Sequence, residues 1–263
     1  MDPVAGAKIV GAGVAAATDR ERRKWLVDQV KKLRRRLRQG TVGIAIFGAG
    51  GVGKTTLGTM LDESFDPLAA PRTYKSSVDT ETYYFKSNDS QSLLVAPGQE
   101  RRRATSWAPI FSDLYRSKKV VLINIVAYGY HASEETITDF EIYQQQSRVI
   151  EQELFQELAQ SLKLLTAPIH LITLVVKQDL WWNNQEKVKA HYEQGEYADI
   201  LTSLQNHVGQ GRCPHEFIYA SLVLQNLKDG TGKICVPTTS GYDDTLQHES
   251  YRRLLDILER WTK

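Results

Sequence analysis

The chain has 263 residues, 41% of them apolar, which is enough to fill the core of one large domain or two small ones. No run of about 18 or more apolar residues occurs, so no helical membrane span is expected. Cys213 and Cys235 are too few for a disulfide framework and lack metal-site spacing, so the expectation is a soluble protein of the reducing cytoplasm.

The net charge of +2 conceals an asymmetry, because residues 1–39 carry 11 Lys and Arg against 4 Asp and Glu, and the remainder 22 against 27. The opening stretch is small and apolar but lacks a basic segment before it, so it reads as a loosely docked arm and not a signal peptide. Gly11-Ala-Gly13-Val-Ala-Ala16 matches a dinucleotide fingerprint, yet no strand precedes it, and the cofactor reading is set aside. From Asp19 to Gln39 one helix is predicted: Asp19 caps it, Leu26, Val30, Leu33 and Leu37 recur at helical spacing, and Gly40 stops it. Its other face is basic over residues 20–39. Three roles stay open for it: a solvated lid, an anionic lipid surface with Trp25 at the interface, or engagement of an acidic partner or nucleic acid. No specific nucleic-acid binding is predicted.

Val42 to Phe47 reads as a strand running into Gly48-Ala49-Gly50-Gly51-Val52-Gly53-Lys54-Thr55, which fits G-x-x-x-x-G-K-[ST] at every fixed position. Backbone N–H groups can wrap a polyphosphate only where side chains do not intrude, which Gly48, Gly50, Gly51 and Gly53 permit. Lys54 brings a positive charge to the β- and γ-phosphates. Thr55 offers a hydroxyl to Mg²⁺, and the helix that continues through Thr56 points its positive end at the anion.

Asp62 to Lys75 contains Pro67 and Pro71 and reads as a mobile loop. Asp79 to Lys86 and Gln91 to Val95 form a hairpin about Ser87-Asn-Asp-Ser90. A helix over Arg102 to Ser117 leads to a buried strand, Lys119 to Val126. Glu134 to Leu165 supports one helix or two, with Ile142, Val149, Ile150, Leu154 and Leu158 as core. A second buried strand covers Pro168 to Val176. Helical sequence follows from Gln185 to His207, then a strand over Glu216 to Ala220 and a turn at Asp229-Gly230-Thr-Gly232 before Lys233 to Val236. A last helix covers Asp244 to Trp261. Strands alternating with helices predict an α/β fold of three layers: a six-stranded, mainly parallel sheet with one antiparallel hairpin strand, and helices on both faces. The partition is an N-terminal arm and basic helix over 1–40 and a nucleotide-binding domain over 41–263.

Together, the P-loop and two further motifs at strand ends resemble those of the Ras-like small GTPases, including the Arf-type and bacterial gliding-protein-like branches. Ala96-Pro97-Gly98-Gln99-Glu100 is similar to the family's D-x-x-G-Q-E segment, which implies Gly98 as the γ-phosphate sensor and Gln99 as the residue orienting the attacking water. The family's Asp falls on Val95, whose apolar side chain cannot hold the magnesium water shell. Val176-Lys177-Gln178-Asp179 resembles the guanine-reading [NT]-K-x-D motif. There Asp179 would accept from the guanine N1–H and exocyclic amine, and Lys177 would pack across the base. Val176 replaces the usual Asn or Thr, removing one loop-tying hydrogen bond. The last base-contacting loop of the family falls on Ser221 and Leu222. The switch hydroxyl stays open among Thr73, Ser76, Ser77 and Thr80. Arg101, Arg102 and Arg103 are either a cis-acting arginine or a partner-facing surface.

The resemblance implies a GTP- and GDP-binding, Mg²⁺-dependent switch that hydrolyses GTP slowly, with Gln99 and Lys54 in the catalytic roles. It also implies a protein effector or regulator, and a cytoplasmic location that the basic helix could make peripheral to a membrane. Two alternatives stand beside it: a nucleotide-binding scaffold with little turnover, favoured by Val95, and an ATP-using P-loop enzyme.

Overall fold

The computed structural model describes residues 42–61, 81–84, 92–97, 100–132, 135–137, 139–209, 211–238 and 241–262, together with 21, 24, 25, 27–33 and 35. Its main sheet has the order β2-β3-β1-β4-β5-β6. Five strands run parallel: β1 (Val42–Gly48), β3 (Ser92–Val95), β4 (Lys119–Val126), β5 (Ile169–Val175) and β6 (His215–Tyr219). The edge strand β2 (Glu81–Tyr84) pairs antiparallel with β3. The short strands β7 (Leu227–Lys228) and β8 (Ile234–Cys235) form a separate antiparallel pair. The main sheet is thus five parallel strands with one antiparallel strand at its edge, as expected, and the two-stranded ribbon is detached from it. The ribbon forms after the last sheet strand, where Asp229 ties its own turn by accepting from Thr231 N, Thr231 Oγ1 and Lys233 N.

Period-two alternation divides the apolar side chains of the strands between the two faces. Ala45, Phe47, Leu122 and Leu171 face one layer, built from α2 (Glu100–Leu114), α3 (Phe140–Leu164), α5 (Gln185–Gln194) and α6 (Glu196–Val208). Ile44, Ile46, Ile123 and Leu174 face the other, where Leu57 and Met60 of α1 (Lys54–Leu61) meet Leu254 and Leu258 of α7 (Asp244–Thr262). Residues 27–33 are helical, and Val30 and Leu33 are buried in this second cluster while Lys24, Lys31, Lys32 and Arg35 lie exposed. Val30 and Leu33 of that helix therefore pack on the domain.

Three local expectations change. Helix α3 begins at Phe140 because Asp139 caps it, its Oδ1 accepting from Glu141 N at 2.9 Å and Ile142 N at 3.1 Å. That register leaves Ile142 46% exposed and buries Tyr143 instead; Leu154 and Leu158 are core as expected, and the side chains of Val149 and Ile150 lie outside the described residues. The helical stretch from Gln185 splits at Gly195, where a Cβ would sit 2.7 Å from His191 O. Helix α2 continues through Pro109, which forfeits one backbone donor but not the helix.

One polar chain crosses the first face. Asn124 Nδ2 donates to Tyr197 Oη at 2.7 Å, Tyr197 Oη meets Thr173 Oγ1 at 2.9 Å, and Thr173 Oγ1 meets His215 Nε2 at 2.8 Å. It joins β4, β5, β6 and α6.

Candidate nucleotide site

The P-loop lies between the end of β1 and the first turn of α1. Gly48 has φ +139°, and a Cβ there would stand 2.2 Å from the carbonyl oxygen of Ile125 in the neighbouring strand β4. A side chain at this position would push the two strands apart. Gly51 and Gly53 also have positive φ, 69° and 113°. Lys54 opens α1, is buried, and donates from Nζ to Gly48 O at 3.0 Å and to Ala49 O at 2.6 Å. Its ammonium is therefore held over the loop that precedes it. Thr55 and Thr56 follow in the first helical turn, both half-buried.

Two other loops close on the P-loop. After β4, Gly129 adopts φ +77° with a Cβ position only 2.1 Å from Ile137 O, so the chain folds tightly back on itself. This brings Ala132 N to Gly51 O at 3.2 Å and His131 Nδ1 to Gly50 O at 3.1 Å. A carbonyl can only accept, so Nδ1 carries the proton in this contact. After β5, Lys177 takes a left-handed conformation, φ 60° and ψ 36°, that turns the chain into the short helix α4 (Gln178–Trp181). Its Nζ donates to Gly51 O at 2.8 Å and to Tyr130 O. Lys177 thus ties all three loops together, a role its place in the K-x-D motif alone does not reveal.

Two residues further, Asp179 is buried at 2% exposure beside Ser221. The Ser221 hydroxyl accepts from Asp179 N at 2.8 Å and donates to Asp179 Oδ1. Leu222 follows in the same turn, its side chain in the second core cluster and 3.5 Å from where a Cβ on Gly53 would lie. The structure therefore brings Asp179, Ser221 and Leu222 together and joins them through Lys177 to residues 48–56. Val176 offers no side-chain hydrogen bond to another loop; the Trp181 indole N–H donates to its carbonyl at 2.9 Å within the same segment.

Gly98 and Gln99 lie outside the described residues, as do Thr73, Ser76, Ser77 and Thr80. The side chains of Arg101, Arg102 and Arg103 do also. Val95 ends β3 at 1% exposure in the cluster that holds Val52 and Leu57, so the position where the family carries its Asp belongs to the core. Residues that the motifs did not single out complete the site: His131 beneath the P-loop, and Tyr242, Gln247 and Tyr251 behind Ser221 and Leu222. Only the fold brings these to the motifs.

The electrostatics follow from burial. Desolvation lowers the Lys177 ammonium to about 7, with Asp179 opposing the shift. It lowers His131 to about 4, with the charges of Lys177 and Lys54 adding to the effect. The same burial raises Asp179, against the Ser221 hydrogen bond and Lys177. An arriving polyphosphate favours the protonated form of Lys177, so binding takes up a proton wherever the free residue is neutral. Affinity is accordingly expected to fall as pH rises from about 7 to about 9, by up to about tenfold per unit for one proton. Isothermal titration with a nucleoside diphosphate across that range measures it, and Lys177→Arg, always charged, is expected to flatten the profile.

The solved structures to which the chain is similar include two with GDP. One is an ADP-ribosylation-factor-like GTP-binding protein, the small COPII coat GTPase SAR1 from Encephalitozoon cuniculi, in complex with GDP. It shows 16% identity and a TM-score of 0.43 over 97% of this chain and 94% of that one. The other is the signal recognition particle receptor SRb with GDP from Chaetomium thermophilum, with 13% identity and a TM-score of 0.40 over 82% of this chain and 97% of that one. No protein-family model matches the sequence, and no curated protein sequence matches it. Identities and scores this low leave the topology and the site's own geometry to carry the functional reading.

Proposed function

We propose that this chain is a guanine-nucleotide-binding protein of the Ras-like, Arf-type class that acts as a switch. The observation that carries the reading is the junction at Lys177. Its ammonium grips the P-loop carbonyl of Gly51, while two residues on, Asp179 meets Ser221 in a buried pair. Phosphate and base are thereby addressed by one continuous segment. Gly48 to Thr56 hold the phosphates, with Lys54 supplying charge. The Asp179 carboxylate accepts from the two donors on the guanine edge, N1–H and the exocyclic amine, a pair that adenine does not offer. Leu222 N–H is the donor for the guanine carbonyl. Residues 41–263 form the nucleotide-binding unit, and residues 1–40 extend it.

Mg²⁺ fits this site only as the companion of a bound nucleotide. Thr55 Oγ1 is the proposed protein ligand among the described residues, Val95 contributes none, and no cluster of three metal-binding side chains occurs among the described residues. When bound, the ion neutralises charge on the β- and γ-phosphates. Gln99 is the proposed water-orienting residue for a slow hydrolysis to GDP. The burial of Val95 favours a second reading, a nucleotide-dependent scaffold with negligible turnover. In both, the ligand-dependent segment follows Gly98 and engages a protein effector. A cytoplasmic setting, with the basic face of residues 24–35 toward an acidic surface, completes the proposal.

The test is competition binding with GDP, GTP, ADP and ATP on the full chain. Guanine nucleotides are expected to bind at least about tenfold tighter than their adenine counterparts. Equal or reversed preference would overturn the guanine assignment. Single-turnover GTP hydrolysis then separates a slow GTPase from a scaffold.

A further inference from the structure

The turn that carries Ser221 and Leu222 is held from behind by three side chains that no motif contains. Tyr242 Oη accepts from Ser221 N at 3.1 Å, Gln247 Nε2 donates to Ser221 O at 3.0 Å, and Tyr251 Oη donates to Leu222 O. All three come from α7 or the residues leading into it. The same approach segment returns a backbone bond to the other half of the pair, Thr238 N donating to Asp179 O at 2.9 Å. Tyr242 is buried at 6% exposure, its ring packed edge-on against Trp182 at 5.2 Å. Gly241 permits that approach: its φ is +87°, and a Cβ would lie 2.7 Å from Trp182 Nε1.

We propose that Tyr242 and Gln247 are positioning residues for base selection: they fix the Ser221–Leu222 turn so that Leu222 N–H and the Asp179 carboxylate face one ligand edge in a single relative geometry. This rests on the guanine reading but deepens it. The three side chains engage Ser221 N, Ser221 O and Leu222 O. What they leave in the turn for a ligand is the donor Leu222 N–H. A hydrogen-bond donor held in place discriminates between a carbonyl, as in guanine, and an amino group, as in adenine, because the wrong partner leaves a buried donor unpaired. A donor on a loose turn can move aside. The hydrogen bonds that Tyr242 and Gln247 make to the turn run to Ser221, away from the phosphate loop, so their effect is expected on selectivity and not on phosphate affinity.

The experiment uses the full chain with Tyr242→Phe and Gln247→Ala, read by two measurements. Amide hydrogen exchange without nucleotide is expected to quicken at Ser221 by about tenfold in Tyr242→Phe, with little change at Val52 and Gly53 in the P-loop. Competition binding is expected to lower the GDP-to-ADP affinity ratio by about tenfold in each variant, while inorganic pyrophosphate binds as in the parent. Unchanged exchange at Ser221 would overturn the positioning role. An equal loss for GDP, ADP and pyrophosphate would show a merely structural role and overturn it too. If the parent protein shows no guanine preference, the guanine reading fails, and exchange at Ser221 decides the positioning role by itself.

Discussion

Lys54→Ala is expected to weaken GDP and GTP binding by on the order of a hundredfold or more, without unfolding the protein. A buried ammonium that meets phosphate oxygens makes charge-assisted hydrogen bonds, and truncating one side of such a contact costs about 2–5 kcal/mol. The fold is expected to be spared because Lys54 Nζ bonds Gly48 O and Ala49 O, backbone groups of a loop that Lys177, His131 and Ala132 also hold. Isothermal titration beside a thermal melt separates the two effects. A melting temperature near that of the parent with nucleotide affinity lost is the expected pair; retained affinity would remove Lys54 from the phosphate site.

Asp179→Asn should change which base is accepted. The substitution keeps the size of the side chain and a carbonyl oxygen for the Ser221 hydroxyl, so the buried pair survives in shape. It replaces one acceptor by an amide donor, which faces the N1–H and amine of guanine with the wrong polarity. Loss of GDP affinity by on the order of a hundredfold follows from leaving buried donors opposed. Xanthine carries a carbonyl in place of the exocyclic amine, so xanthosine diphosphate is expected to gain where GDP loses. Displacement assays with both nucleotides measure the exchange, and an unchanged GDP-to-xanthosine-diphosphate ratio would show that Asp179 does not face the base.

The strand, glycine turn and helix start over residues 42–56 were legible in the sequence because they are contiguous, and each requirement falls on a neighbouring position. The buried strands over 119–126 and 168–176 were legible because their apolar runs are unbroken. Asp179 could be read from its place after a strand, and Ser221 from the strand before it. What stayed hidden depends on contacts between distant segments. Tyr242, Gln247 and Tyr251 matter because α7 begins beside the turn after β6, and no local pattern encodes that. His131 reaches Gly50 across 81 positions of chain. Ile142 was misplaced for a different reason: helical periodicity gives the spacing of a buried stripe but not its phase, which the cap at Asp139 sets.

The hydrogen-bonded chain from Asn124 through Tyr197 and Thr173 to His215 gives the sheet something apolar packing cannot. Side chains such as Val120, Leu122 and Leu171 are nearly interchangeable in shape, so a strand shifted by two residues would still present an oily face to α6. It would not realign four polar groups. Any such slip buries an amide, a hydroxyl or an imidazole against hydrocarbon with its partner displaced by about 7 Å, and every alternative alignment is penalised together. The loops after β4, β5 and β6 inherit that choice. Because the rungs beneath them admit one alignment, the Tyr130 carbonyl, the Lys177 ammonium and the Ser221 hydroxyl arrive at the same end of the sheet at matching heights.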